Sequence, residues 1–175
     1  VFVLYAGFRY GWSTWEVGLG LALWGVLDIL VQALAVGPIV KRFGDRSTMV
    51  VGLTIGAVGL ALLGFAPSSE AFVLGIFVSA LWGLAMPTLQ SLMTQRVSES
   101  EQGQLQGANN SVGSIAGIAS PLFFGWVYSV SVGDAALVEA PGLSFFIAAA
   151  ILFVGAAIGR IVGRRAVRRE AAEQH

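Results

Sequence analysis

The chain has 175 residues, of which 56% are hydrophobic and 11% charged, with a formal net charge of zero. So few charges cannot cover a water-soluble domain, where about a quarter of residues are charged, and zero net charge removes any general attraction to nucleic acid. With no cysteine and His175 as the only histidine, disulfide scaffolds, thiolate nucleophiles and Cys/His metal clusters are excluded, which leaves an all-α membrane protein as the expected class.

In chain order, a short apolar piece over residues 1–8 comes first. At 1.5 Å per residue it covers only about 12 Å, so it reads as the tail of a helix that cannot span a bilayer alone. It has no basic leading region and no small-residue cleavage site, so it is not read as a signal peptide. Five longer apolar runs follow, at about 17–40, 48–66, 71–94, 105–130 and 143–162. Each is close to the ~20 residues a helix needs to cross ~30 Å of hydrocarbon. The expectation is a fragment made of a partial first helix and five whole ones. One transmembrane bundle occupies 1–164, and a basic tail follows at 165–175.

Lys41, Arg42, Arg46, Arg96, Arg160, Arg164, Arg165, Arg168 and Arg169 fall in alternate junctions and the tail, while Arg9 stands alone on the opposite side. That side carries Glu16, Glu70, Asp134 and Glu139. The positive-inside rule makes the basic side and the C-terminus cytoplasmic. The tail reads as a solvated segment or a short interfacial helix against anionic headgroups, and it lacks the aromatic platform that nucleic-acid binding requires.

The second run, "WGVLDILVQALAV", places Asp28 about halfway along its helix. An acid at that depth costs ~2.5–3.5 kcal/mol on insertion scales, so it should face the bundle or a water cavity rather than lipid. Gln32 is four residues on and shares its helical face. Two readings stand: a protonatable relay, or a hydrogen-bonded acid acting as glue between helices. Trp24, one turn earlier, fits a substrate contact or packing. In the fourth run Pro87 should kink the helix one turn before Gln90, and Trp82 can offer a ring to a flat ligand.

The fifth run opens with "QLQGANNSVGSIAG", where Asn109 and Asn110 either line a cavity mouth or meet headgroups. Gly103/Gly107 and Gly113/Gly117 form small-xxx-small pairs, read as helix-packing positions. No lysine and serine or threonine follow in phosphate-loop order. Pro121, flanked by Gly117 and Gly125, deletes a backbone bond deep in this helix and should kink it.

"GPIVKRFGDR", with Gly37, Lys41, Arg42, Gly44, Asp45 and Arg46, resembles the loop signature of the major facilitator superfamily, although Lys41 stands where the superfamily usually has an acid. "MPTLQSLMTQRVSESEQGQLQGANNSVGSIAGIASPLFF" resembles the matching stretch of the tetracycline/proton antiporters, and "FRYGW" lies in a similar place near the start. The Gly and Pro spacing around Pro121 resembles a degenerate copy of the antiporter motif. The resemblance implies the C-terminal six-helix half of a twelve-helix transporter, with three-plus-three inverted repeats. It departs from the tetracycline exporters at Gly56, where they tend to have an acid, and at Asp28, where they tend to have a histidine.

The resemblance implies a proton-coupled exporter of drug-like molecules in a cell inner membrane. Its partners would be a small-molecule substrate, protons, the lipid bilayer and the N-terminal half of the same protein, with no cofactor, metal or nucleic acid. A transporter of another solute, an intramembrane enzyme and a non-transporting receptor are the alternatives. The enzyme reading lacks a catalytic set, because Asp28 is the only acid inside the helices and no His or Cys joins it.

Overall fold

A backbone in hydrocarbon must satisfy its own hydrogen bonds, and among the described residues every regular element is a helix. The computed structural model describes residues 1–132 and 140–173, with backbone alone from residue 163 onward. Asp134, Glu139 and His175, and the side chains of Arg164, Arg165, Arg168 and Arg169, lie outside the described residues.

Helix α1 (Phe2–Tyr10) ends on Gly11, whose φ of 68° lets its N–H turn back to the carbonyls of Ala6 and Gly7. Helix α2 (Thr14–Leu30) starts on a capping box in which Ser13 and Glu16 bond each other's backbone N–H groups. A π-helical turn, Val31–Ala35, then leads into α3 (Val36–Phe65). Pro38 lies four residues beyond Leu34 and has no N–H to return to that carbonyl, which accounts for the wider turn there.

The helical run Thr14–Phe65 is 52 residues long, about 78 Å at 1.5 Å per residue, far more than one bilayer crossing. It is divided at Gly44, whose φ of 78° and ψ of 158° are non-helical. The expected junction at 41–47 is therefore helical apart from this one residue. Glycine alone reaches that φ without strain, and Thr48 Oγ1 donates to the Gly44 carbonyl at 2.8 Å to start the next segment.

Helix α4 (Ser69–Ala80) passes through a 3₁₀ turn, Leu81–Leu84, into α5 (Ala85–Thr94). Here Pro87 leaves the Gly83 carbonyl without an i+4 donor. A second 3₁₀ turn, Glu99–Glu101, opens α6 (Gln102–Ser129), which runs as one helix through Pro121. Helix α7 (Leu143–Glu173) carries its backbone into the expected tail rather than ending near 162.

The second part of α3 lies between α7 on one side and α4 to α5 on the other. Glycines allow the approach, since apolar surface gains nothing by leaving lipid and close packing is what joins membrane helices. A Cβ on Gly59 would sit 2.5 Å from the Ser79 backbone, and one on Gly52 would sit 2.9 Å from Ala85 N. At one end of the bundle Tyr5, Phe72 and Phe145 pack with ring centroids 5.0–6.2 Å apart. Tyr10 donates to the Ala66 carbonyl and Trp12 Nε1 to Ser69 Oγ, fastening α1 and its loop to the α3–α4 turn. The basic junctions meet at the other end, where Gln95 Nε2 donates to Asp45 Oδ2 at 3.1 Å.

Helix α6 is the least covered. Val112, Ile115 and Ile118 are 67%, 68% and 72% exposed. Cβ atoms placed on Gly103, Gly107, Gly113 and Gly117 would meet nothing within 4 Å. These glycines were expected at helix contacts, and among the described residues they make none. The helix is held at its margins instead, by Asn109 to Gln90, Tyr128 to the Leu4 carbonyl and Ser144 to the Phe124 carbonyl.

Candidate functional site

Asp28 lies fourteen residues into α2, about 21 Å from its start, and a similar distance from the break at Gly44. It is half-buried, and Gln32 Nε2 donates to its Oδ2 at 2.6 Å. That bond stays within one helical face, as the i, i+4 spacing requires.

Across from Asp28 is the 3₁₀ turn of the fourth crossing. Gly83 is buried there, and a Cβ on it would overlap Asp28 Oδ1 and lie 3.3 Å from the aspartate's Cγ and main-chain oxygen. The glycine thus makes room for the carboxylate. The π turn of Val31–Ala35 also packs on this 3₁₀ turn. Two irregular segments therefore meet beside Asp28, and each contains the carbonyl four residues before a proline. Irregular backbone at membrane depth is tolerated where protein covers it or where it borders a cavity.

A pocket of about 360 Å³ opens at this meeting point, lined by Trp24, Gly25, Asp28, Gln32, Trp82 and Gly83 among others. Four of the expected site residues, Trp24, Asp28, Gln32 and Trp82, are thus brought together. The other amides are not. Asn109 Nδ2 donates to Gln90 Oε1 at 3.3 Å, tying α6 to α5 away from this pocket, and Gln90 Nε2 is buried with no partner among the described residues. Asn110 is exposed. Of the loop residues, Gly37, Lys41, Arg42 and Gly44 are exposed, Asp45 and Arg46 are half-buried, and Asp45 accepts from Gln95. Arg42 lies 5.4 Å from the centroid of the Phe43 ring.

The sequence reading missed Gly83 and the π turn. Pro38, four residues beyond Leu34, was the available signal for the turn. Nothing local marks Gly83 as the residue facing Asp28.

The family profile of the Major Facilitator Superfamily matches residues 1–174. The chain belongs to the Major Facilitator Superfamily. It is similar to the tetracycline resistance protein, class C, of Escherichia coli, with 34% identity over 88% of this chain and 38% of that one. The class G protein of Vibrio anguillarum is 35% identical over 76% of this chain and 34% of its own. For the class H protein of Pasteurella multocida the identity is 33%, over 75% and 33%. The chain spans about a third of the length of these curated relatives. No solved structure matches it.

As a member of this superfamily the chain is a multi-pass membrane protein, and its long apolar helices fit that placement. Gly56 has a structural reason. A Cβ there would lie 2.9 Å from Trp82 Cβ and 3.3 Å from Leu152 Cδ1, so α3 uses this glycine to seat Trp82 and has no room for an acid.

Proposed function

We propose that the full-length protein is a proton-coupled exporter of drug-like small molecules, and that Asp28 is its coupling group. The observation that carries this reading is the carboxylate itself: midway between the start of α2 and the break at Gly44, bonded among the described residues to Gln32 of the same helical run, and lining a pocket with Trp24 and Trp82. Among the described residues Asp28 bonds Gln32, one turn on in the same helical run. A carboxyl group favours its neutral form when dry and its charged form when wet, so one that alternates between the two environments ties proton movement to cavity orientation. Gln32 holds the carboxylate, while Trp24 and Trp82 offer ring faces to substrate. This half would rock against the N-terminal half around a midplane site, with no covalent chemistry. The kinship with tetracycline resistance proteins supports export of a drug-like molecule.

The basic junctions and C-terminus are read as cytoplasmic and the membrane as a cell inner membrane. Asn109 and Gln90 are assigned to the cytoplasmic approach to the cavity, and the Gly37–Arg46 segment to the hinge between the second and third crossings.

The test is Asp28→Asn in the full-length protein, which keeps size and hydrogen bonding but removes the proton. The variant should insert normally and lose substrate accumulation driven by a pH gradient in inverted vesicles. Full gradient-driven transport at matched expression would refute the coupling role.

A further inference from the structure

Polar side chains are unevenly placed about the contact of Asp28 with Gly83. Toward the start of α2, residues Val17 to Leu27 offer only the indole of Trp24. Along α4, Ala71 to Ala80 offer only Ser79, whose buried hydroxyl donates to the Ile76 carbonyl. On the side of the basic junctions three amides follow instead: Gln32 in the helical run of α2, Gln90 on α5 and Asn109 on α6. The crossings that carry Asp28 and Gly83 both run toward those junctions, so Gln32 lies about 6 Å beyond Asp28 and Gln90 about 10 Å beyond Gly83. Met86 lines the pocket of Asp28, and Gln90, four residues on, shares its helical face.

Gln90 Oε1 accepts from Asn109 Nδ2 at 3.3 Å, whereas Gln90 Nε2 is buried with no acceptor among the described residues. Buried donors in folded proteins are nearly always bonded, so this one calls for a partner. Gln90 does not line the pocket of Asp28 and its Nε2 is closed off from the surface, so the partner is an acceptor of water's size rather than a drug-sized ligand. We propose that Gln90 and Asn109 hold a water molecule through which Asp28 exchanges its proton with the side of the basic junctions. This inference rests on the reading of Asp28 as the coupling group and adds the route of its proton. A buried water needs at least two polar partners, and the amides offer Gln90 Nε2 as donor and Asn109 Oδ1 as acceptor. On release the carboxyl O–H bond breaks, the proton joins the water oxygen, and the hydronium so formed passes a proton on toward the basic junctions, leaving Asp28 as the carboxylate that Gln32 holds. Gln90 and Asn109 neither gain nor lose a proton and act as positioning residues.

The closing experiment compares two rates for full-length protein in inverted vesicles: substrate uptake driven by a pH gradient, which needs net proton exchange at Asp28, and substrate exchange at equal pH, which does not. Gln90→Met keeps the length of the side chain and removes its hydrogen bonds. The maximum rate of gradient-driven uptake should fall about tenfold, the worth of one hydrogen bond, and D2O should slow the variant more than it slows the wild type. Exchange at equal pH and the KM for substrate should stay as in the wild type, which also shows that the variant folds. Asn109→Leu should give the same split, and it decides the matter if Gln90→Met fails to insert. Unchanged gradient-driven uptake overturns the water. So does loss of exchange in step with uptake, or a fall that D2O does not deepen, since either would make the amides substrate contacts or packing. These outcomes leave the reading of Asp28 intact as long as Asp28→Asn abolishes gradient-driven uptake. Full gradient-driven uptake by Asp28→Asn overturns the inference together with that reading.

Discussion

Replacing Gly83 with alanine puts one methyl group where the Asp28 carboxylate now lies. The added Cβ would overlap Oδ1 and sit 3.3 Å from both Cγ and the main-chain oxygen. Carbon needs about 3.5–4.0 Å to its neighbours, so the carboxylate must swing away by roughly 1 Å. That movement breaks the 2.6 Å hydrogen bond from Gln32. A hydrogen bond to a charged group contributes ~1.5–3 kcal/mol, which corresponds to about ten- to a hundredfold in any step that depends on it. The cost falls on the site rather than the fold, because a side-chain terminus can move where backbone cannot. In full-length protein, initial rates of gradient-driven uptake into inverted vesicles should fall at least tenfold for Gly83→Ala. Gly18→Ala on the same helix as Asp28, where a Cβ meets nothing within 4 Å, should leave them unchanged. Equal rates for the two variants at matched expression would refute the placement of the carboxylate against Gly83.

Three further variants probe the packing. Gly59→Ala brings a methyl to 2.5 Å from the Ser79 main-chain N and Cα, so α3 and α4 must separate, and detergent melting should show a loss of ~1–3 kcal/mol. Gly113→Ala, where a Cβ meets nothing within 4 Å among the described residues, should melt no lower than the wild type because alanine favours the helix. Trp12→Phe keeps the ring contact with Phe72 but removes the 3.0 Å donation to Ser69, and the same measurement should show ~0.5–1.5 kcal/mol lost.

The membrane class and the helical runs were legible because hydrocarbon thickness and internal backbone bonding act on each segment separately. The pairing of Asp28 with Gln32 was legible for the same reason, being set by spacing along one helix. Gly83 was not, because its partner lies 55 positions earlier and only the packing of two crossings brings them together. The glycine pairs of α6 illustrate a different limit. Small-xxx-small spacing says that a helix can be approached closely, not which helix approaches. Among the described residues close approaches fall on Gly52, Gly56 and Gly59 of α3 and on several other glycines, while a Cβ on Gly113 or Gly117 meets nothing within 4 Å. At Gly44 a single residue of positive φ turns the chain where a loop was expected.

The same reasoning gives Pro87 a role that a kink alone does not describe. Without its N–H, the Gly83 carbonyl loses the donor that would continue α4 as an α-helix, and Leu81–Leu84 tightens into a 3₁₀ turn. That turn presents Gly83 to Asp28 and seats Trp82 on Gly56. Pro87→Ala restores the donor, so the turn should relax toward α-helix and rotate both residues relative to α2. Removing an interior proline from a helix relieves up to ~3 kcal/mol, offset here by whatever packing the native turn makes. The expected signature is therefore opposed: a melting temperature equal to or above the wild type's, together with a several-fold lower rate of gradient-driven uptake. A variant that lost stability and activity in proportion would indicate that the proline only packs. One that gained stability with full activity would show that the 3₁₀ geometry is not needed to place Gly83 and Trp82 beside Asp28.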